Sequence, residues 1–426
     1  MEMRLGKTLV CIRHAVRVNY RRILVIAPKT AMISWREELE REHELYHMID
    51  GTQKQRRALV DTLQKKSRVR VWYLIGYETL RVTPEMTNLE WDWIIADEST
   101  RIKNTSALTT RIINGYRING VESTGFHRHI PRTILSGLVA PESPIEVFEQ
   151  FYFLDGEFMG FRNFWNFRST LFTLRYGQWF PKAGVRERIK EEVHERAFVL
   201  TRHKAGMGKR VIREIREVEA SPRLMKMYQA AERDFELDGF KTNWKLVVQT
   251  WLARLAGGFD LEADLISAHK IRELKDLLQN ELQSEQVVVW FHFRAEMQAV
   301  ADMLRKSKIR FGEIHGGVNS EERKRTVQRF RDGKIRVVLG QIDCGRFALD
   351  LSSADTAIYY SNTYSAEGRF QSEDRIVHPK KDRPLLYIDL VTKGTVDVDC
   401  VKSLGSKRIN GKLFMRRFRK ALERRF

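Results

Sequence analysis

The chain has 426 residues, 42% hydrophobic and 31% charged, long enough for two or three domains with substantial cores. Its 75 Lys+Arg against 55 Asp+Glu leave a formal charge of +20, which favours a polyanion, nucleic acid ahead of a membrane. No window approaches the ~18 uninterrupted apolar residues of a membrane span, the start lacks the apolar core of a signal peptide, and Cys11, Cys344 and Cys400 show neither metal-ligand nor disulfide spacing, as suits a reducing cytoplasm.

In chain order, Gly6-Lys7-Thr8 reads as the end of a phosphate-binding loop running into a helix over 8–19. Small Gly6 lets backbone N–H groups approach phosphate, Lys7 reaches its outer oxygens, and Thr8 offers a hydroxyl to Mg2+. Short β-rich runs follow at 22–28, 69–75, 91–96 and 132–137, separated by helical stretches, a pattern that predicts a parallel α/β sheet with ligands at the strand ends. The third run ends abruptly in Asp97 and Glu98. At the carboxyl end of a buried parallel strand the first acid can hold a metal and the second can deprotonate an attacking water, although a strand-end acid is also a common helix cap.

Residues 149–202 interleave rings and cations, among them Phe158, Phe161, Phe164, Trp165, Phe167, Arg168, Phe172, Arg175, Tyr176, Trp179 and Phe180. Two readings are open: a platform for stacking bases, or the aromatic core of a helical insertion, which is the more common use of such residues. The basic stretch 202–216, with Gly206 and Gly208, reads as a flexible crossing, and 214–280 as a helical linker. A second α/β pattern begins at 286, with strands expected at 286–291, 311–316, 336–339, 356–360 and 385–390. His315 after an apolar strand reads as structural. Gln371 and Arg375, four apart on a predicted helix, share one face. From Lys402 on, ten basic residues face one acid, Glu423, with a partial apolar stripe between them.

The order of these signals carries a resemblance. Residues 2–8, Val25-Ile26-Ala27-Pro28, Ile95-Ala96-Asp97-Glu98-Ser99 and Leu135-Ser136-Gly137 resemble helicase motifs I, Ia, II and III in the style of the Swi/Snf-type translocases of helicase superfamily 2. Arg101-Ile102-Lys103-Asn104 resembles the basic tail of that branch's motif II, and 140–144 its post-motif-III turn. Ile314-His315-Gly316, a motif V over 345–352 and Gln371-Ser372-Glu373-Asp374-Arg375 as motif VI extend the resemblance over nearly the whole chain. It implies two tandem RecA-like lobes with helical insertions: 1–213 with a helical protrusion near 155–202, the linker 214–280, and 281–426 with a basic tail. It further implies ATP in the cleft between lobes and duplex DNA across both. Gly6, Lys7, Thr8 and Asp350 would bind the nucleotide, and Thr8 and Asp97 the Mg2+. Glu98 would activate water, with Gln371 and Arg375 acting from the second lobe. Lys29, Arg101, Lys103, Arg416 and Arg417 would contact DNA phosphates. The expectation is a monomeric, cytoplasmic, nucleoid-associated DNA translocase. A non-hydrolysing nucleic-acid-binding protein of the same fold and an RNA helicase are the alternatives.

Several positions depart from the family pattern. The sequence given has no residues for a strand before the loop or for an upstream adenine-recognition segment, so the chain reads as a possible fragment. Leu138-Val139 follow Ser136-Gly137 where Thr-Pro is usual, Arg346 and Ala348 stand where motif V is glycine-rich, and His378 stands where a second motif VI arginine is expected. A histidine lacks the permanent charge and five-donor fork of a guanidinium, so these departures together imply slowed turnover.

Overall fold

The structure is a computed structural model that describes residues 5–63, 69–115, 117–118, 121–122, 125–137, 139–140, 143–175, 178–198, 200, 210–234, 236–237, 240–241, 245–346, 349–378 and 383–405. Of the expectations above, those on 1–4, Leu138, Pro141, Glu142, Tyr176, the crossing 201–209, Ala348, and the tail 406–426 with Arg416 and Arg417 lie outside the described residues. The chain divides into two units, Met1–Met207 and Gly208–Phe426.

The first unit is built on strands β1 (Arg22–Ala27), β2 (Leu45–Ile49), β3 (Val71–Gly76), β4 (Trp93–Asp97) and β5 (Arg132–Leu135), in the spatial order β2-β3-β1-β4-β5. All four pairings are parallel. Strands of such a sheet are covered on both faces, which is why β1, β3 and β4 read as unbroken apolar runs. Alternate residues feed two cores. Leu24, Ile26, Tyr73, Ile75, Ile94 and Ala96 pack on one face, and Ile23, Val25, Trp72, Leu74, Trp93 and Ile95 on the other. Strand β2 escaped the sequence reading because it is a short edge strand whose exposed positions include an apolar residue, Leu45 being 60% exposed, so no apolar–polar alternation marks it.

The insertion after β5 differs in part from a purely helical protrusion. Helix Val147–Asp155 and helix Phe164–Leu171 are followed by an antiparallel hairpin, Phe172–Arg175 with Gln178–Pro181, and then helix Val185–Arg196. Phe148, Phe151, Phe158, Phe167 and Phe172 form its core, so most of the aromatic run fills an interior.

The second unit has its own parallel sheet. Its strands are β6 (Val211–Val218), β7 (Val287–Phe291), β8 (Phe311–Ile314), β9 (Val337–Gln341), β10 (Thr356–Tyr359) and β11 (Leu385–Thr392), in the order β6-β11-β10-β7-β9-β8. Two expectations are corrected here. The basic stretch entering this unit is a strand from Val211, paired along its length with β11, so a boundary at 213/214 would cut through β6. Its charged, mostly exposed side chains mark an edge strand and read in sequence as a loop. Nor is 214–280 a separate linker: helix His269–Gln279 buries Ile271, Leu274, Leu277 and Leu278 in the same core as Val287, Val289 and Phe291. Among the described residues no helix is long and apolar enough to cross a membrane.

Candidate active site

Strand β4 delivers Asp97 to the carboxyl end of the first sheet. There the backbone turns sharply: Glu98 takes a left-handed conformation (φ 50°, ψ 57°) and opens the short 3-10 turn Ser99–Ile102. A residue with a Cβ pays about 1 kcal/mol or more for that conformation, so the turn is held by its surroundings. Asp97 is buried, with Oδ2 accepting from Trp35 Nε1 at 2.8 Å and Oδ1 from the Glu98 N–H at 2.9 Å. Tyr77 donates to the Asp97 carbonyl at 2.8 Å. Burial raises the Asp97 carboxyl above its ordinary range, while the Trp35 hydrogen bond, the charge of Lys7 and the Glu98 N–H oppose the rise. Burial and the two acids likewise push the Tyr77 hydroxyl far up, leaving it a neutral donor.

Lys7 therefore acts electrostatically on Asp97. It opens helix Lys7–Val18, whose N-cap is Gly6 in the left-handed region (φ 75°). Among the described residues no atom lies within 4 Å of where a Gly6 Cβ would stand, so that glycine is favoured there by its conformation. Among the described residues no side chain caps the helix. Its first N–H groups lack intrahelical acceptors by geometry, and Thr8 sits in this first turn. Cys11, one turn on, is buried beside Asp97, and its thiol is pushed up to about 12 by burial and the aspartate. It is inert.

Sequence reasoning passed over Trp35, Tyr77 and Gln150. Trp35 looks like one more core residue of helix Lys29–Arg41, buried with Met32 and Leu39; the available signal was that a buried indole N–H needs an acceptor. Gln150, on helix Val147–Asp155 and fully buried, accepts from Ser99 Oγ at 2.7 Å and donates to the Val139 carbonyl at 2.7 Å and the Glu146 carbonyl at 2.9 Å. It thus ties the turn after Asp97-Glu98 to the segment after β5. Lys103 makes a second tie, its ammonium 2.8 Å from Glu146. That lysine is held within its own unit, whereas Lys29 and Arg101 are exposed.

In the second unit, helix Ala366–Glu373 carries Gln371, and Arg375 follows in a turn. They are brought together: Arg375 Nε donates to the Gln371 carbonyl at 3.0 Å, and Gln371 Nε2 bonds Glu367 at 3.3 Å. Gly345 lies where a Cβ would come within 2.9 Å of Ser372 Cβ, so motif V and the motif VI helix are in close packing that requires a glycine. Asp350 is engaged elsewhere, its Oδ2 3.2 Å from Arg331 and its Oδ1 accepting from Ser352 N–H. His315 accepts from the Gly317 N–H at 3.1 Å and serves a local turn.

A third arginine went unread. Arg369 is 3% exposed, bonded to Glu373 at 2.7 Å and to Asp389 at 2.5 and 3.0 Å, and lies 3.4 Å above the Tyr359 ring. Arg213 of β6 grips the same Glu373 with two bonds of 2.7 Å. Burial alone would raise the Glu373 carboxyl, but the two guanidiniums together hold it below its ordinary value. Arg369 is thus locked into the scaffold that supports Arg375.

Two parallel α/β units, each with polar residues gathered beyond its strands, define a protein of tandem RecA-like lobes. The SNF2-related domain matches residues 1–121, and the helicase conserved C-terminal domain residues 269–380. The chain is similar to Chromodomain-helicase-DNA-binding protein 1-like of Danio rerio, at 23% identity over 93% of this chain and 40% of that protein. It is also 23% identical to SWI/SNF chromatin-remodeling complex subunit snf22 of Schizosaccharomyces pombe, over 93% of this chain and 25% of that one. The chain therefore spans less than half the length of these relatives. Among solved structures, the Sulfolobus solfataricus SWI2/SNF2 ATPase core in complex with dsDNA matches 97% of this chain and 86% of that chain, with 17% identity and a TM-score of 0.41. The two matches place an SNF2-related domain in the first unit and a helicase conserved C-terminal domain in the second, as the resemblance to the Swi/Snf type of helicase superfamily 2 implies.

Proposed function

We propose that this chain is the motor core of an ATP-dependent translocase acting on double-stranded DNA. The observation that carries the reading is the meeting of Lys7, Asp97 and Glu98 at one end of the first sheet, with Trp35 and Lys7 favouring the Asp97 anion against the burial that raises its carboxyl.

The residues present fit ATP and Mg2+. An uncapped helix start behind a left-handed glycine is suited to phosphate, and a buried carboxylate favoured by a neighbouring cation is suited to Mg2+. In this reading Gly6, Lys7 and Thr8 hold the phosphates, Thr8 and Asp97 hold the metal, and Glu98 accepts the proton of the attacking water. Asp350 adds a nucleotide contact on exchanging its Arg331 partner. Gln371 positions Arg375, which stabilises charge on the transferred group. Bound Mg2+–ATP supplies the phosphoryl group and the cation that neutralises its charge. Lys29, Arg101, Lys103, Arg416 and Arg417 contact the DNA backbone, Lys103 by leaving Glu146. Lacking any base-reading set, they grip DNA without regard to sequence. The SNF2-related match and relatives named as DNA-binding helicases support DNA over RNA.

The test is ATP turnover with duplex, single strand and RNA compared as stimulants. Lys7→Ala and Glu98→Gln should each lower kcat about a hundredfold or more, Glu98→Gln with ATP binding retained. Equal turnover by variant and parent would overturn the site. With His378 in place of a second guanidinium, His378→Arg should raise kcat; an unchanged or lower kcat would show that turnover is not limited there.

A further inference from the structure

The aromatic insertion is not wholly an interior. Trp165 remains 57% exposed on helix Phe164–Leu171, and one turn on, Arg168 lies with its guanidinium carbon 4.4 Å from the Trp165 ring centroid. The same carbon lies 4.3 Å from the ring centroid of Trp179 in the hairpin and 5.6 Å from that of Phe164. The Arg168 guanidinium makes no ion pair and no hydrogen bond among the described residues, and its Nε is buried without an acceptor. Elsewhere in the same region Arg162 pairs with Glu157 at 3.3 Å, and Arg196 with Asp155 at 2.5 Å.

The frame around the stack is fixed. The Asn163 side chain caps the helix by accepting from the Trp165 and Asn166 N–H groups at 2.8 and 3.3 Å. At the other end Lys182 Nζ donates to the Thr170 carbonyl at 2.6 Å, clamping the hairpin's exit to the helix. A guanidinium 4.4 and 4.3 Å from two indole centroids has little rotamer freedom left to lose, and its N–H groups, unused among the described residues, match an oxyanion. The exposed Trp165 face matches a planar ring. An anion and a planar ring side by side are the two halves of one nucleotide. Duplex DNA offers its phosphates but keeps its base faces stacked inside, so the pair of features is satisfied together only by unpaired nucleotides.

We propose that the Trp165–Arg168–Trp179 stack is a second nucleic-acid contact that takes single-stranded nucleotides, with phosphate on Arg168 and base on Trp165. It lies on the insertion, apart from Asp97 and Glu98, and its chemistry is independent of ATP turnover. An acidic segment of a protein is the competing occupant, but it would use the arginine and leave the indole face without a partner ring.

Binding of oligothymidylate and of a blunt duplex to the full chain without nucleotide, followed by fluorescence anisotropy, tests this. Trp165→Ala should weaken oligothymidylate about tenfold and spare the duplex, while Trp165→Phe keeps most of the affinity. Arg168→Gln should lower the log–log salt slope for the single strand by about 0.7, the share of one phosphate. Equal oligothymidylate affinity of Trp165→Ala and parent would overturn the proposal. So would oligoglutamate binding that depends on Trp165 while oligothymidylate binding does not. If the parent binds neither DNA form, the translocase reading fails first, an outcome distinct from loss of the single-strand effect alone. Unchanged near-ultraviolet circular dichroism apart from the lost indole would confirm that the variants fold.

Discussion

Asp97 stands between burial, which favours the neutral acid, and Trp35, Lys7 and the Glu98 N–H, which favour the anion. A hydrogen bond to a charged group contributes about 1.5–3 kcal/mol, and one pKa unit corresponds to about 1.4 kcal/mol. Trp35→Phe keeps the apolar ring and removes the donor, so the Asp97 carboxyl should rise further. A metal-holding carboxylate must be ionised, hence activity is lost as pH falls through its pKa, and the variant should lose activity at higher pH than the parent. The acid limb of the pH profile of kcat/KM is the measurement, with an upward displacement expected; coincident acid limbs would remove Trp35 from the site. The sequence displayed Asp97 and Glu98 plainly, because an apolar strand ending in two acids is a local pattern. Trp35 was invisible for the opposite reason: its partner lies 62 positions away, and only the packing of helix Lys29–Arg41 on the sheet brings them together.

At the scale of elements, single buried polar side chains join segments that the sequence keeps apart. Gln150 links the turn after β4 to the segment after β5 and to its own helix. Gln150→Leu would fill a similar volume but leave Ser99 Oγ and the Val139 carbonyl without their partner. Each unsatisfied buried group costs about 1–3 kcal/mol, so the unfolding midpoint of the first unit should drop by several degrees. Calorimetry that found the midpoint unchanged would mean that these groups find other partners. Glu296 plays a comparable part in the second unit. It lies in the first turn of helix Arg294–Lys306, accepts from Ser361 Oγ at 2.5 Å and from the Phe293 N–H at 3.2 Å, and has an Oε1 without a partner, against Gly257. Burial pushes its carboxyl from 4.5 up to about 7, against the opposing Ser361 bond and Lys270 charge. In the unfolded chain this acid ionises near its ordinary value, so between about 4.5 and 7 the folded unit binds the extra proton. Stability from this group is full below that window and falls as pH rises through it, by on the order of 3 kcal/mol. Glu296→Gln should flatten that fall, as denaturant titrations at pH 5 and 8 would reveal; a parallel pH dependence in variant and parent would contradict it. None of these ties was legible in advance, since the apolar periodicity that discloses helices and strands says nothing about which polar side chain is folded inward. The two edge strands β2 and β6 failed to register for a related reason: their exposed positions hold apolar and polar residues alike, so neither a clean alternation nor an unbroken apolar run marks them.

For the molecule as a whole the strongest signal in the sequence is charge, and it translates into a measurable law. A surplus of 20 positive charges, carried in part by exposed Lys29 and Arg101 and by the cation-rich tail with Arg416 and Arg417, should bind DNA chiefly by displacing condensed counterions. The logarithm of affinity for a duplex should then fall linearly with the logarithm of salt, with a slope of about 0.9 per phosphate neutralised, and with little dependence on sequence. Many of the chain's cations cannot contribute, because they are committed internally: Arg369 and Arg213 to Glu373, and Lys270, fully buried, to Asp397 at 2.6 Å. The slope should therefore fall well short of the count of Lys and Arg. Deleting residues 406–426 removes nine Lys/Arg and one Glu, none of them within the described residues, and should lower the slope by several units while leaving thermal unfolding of both units in place. Filter-binding or anisotropy titrations of parent and deletion over a range of KCl concentrations provide the comparison. A flat salt dependence, a strong preference for one duplex sequence, or a deletion with an undiminished slope would each contradict a phosphate grip shared between the units and the tail.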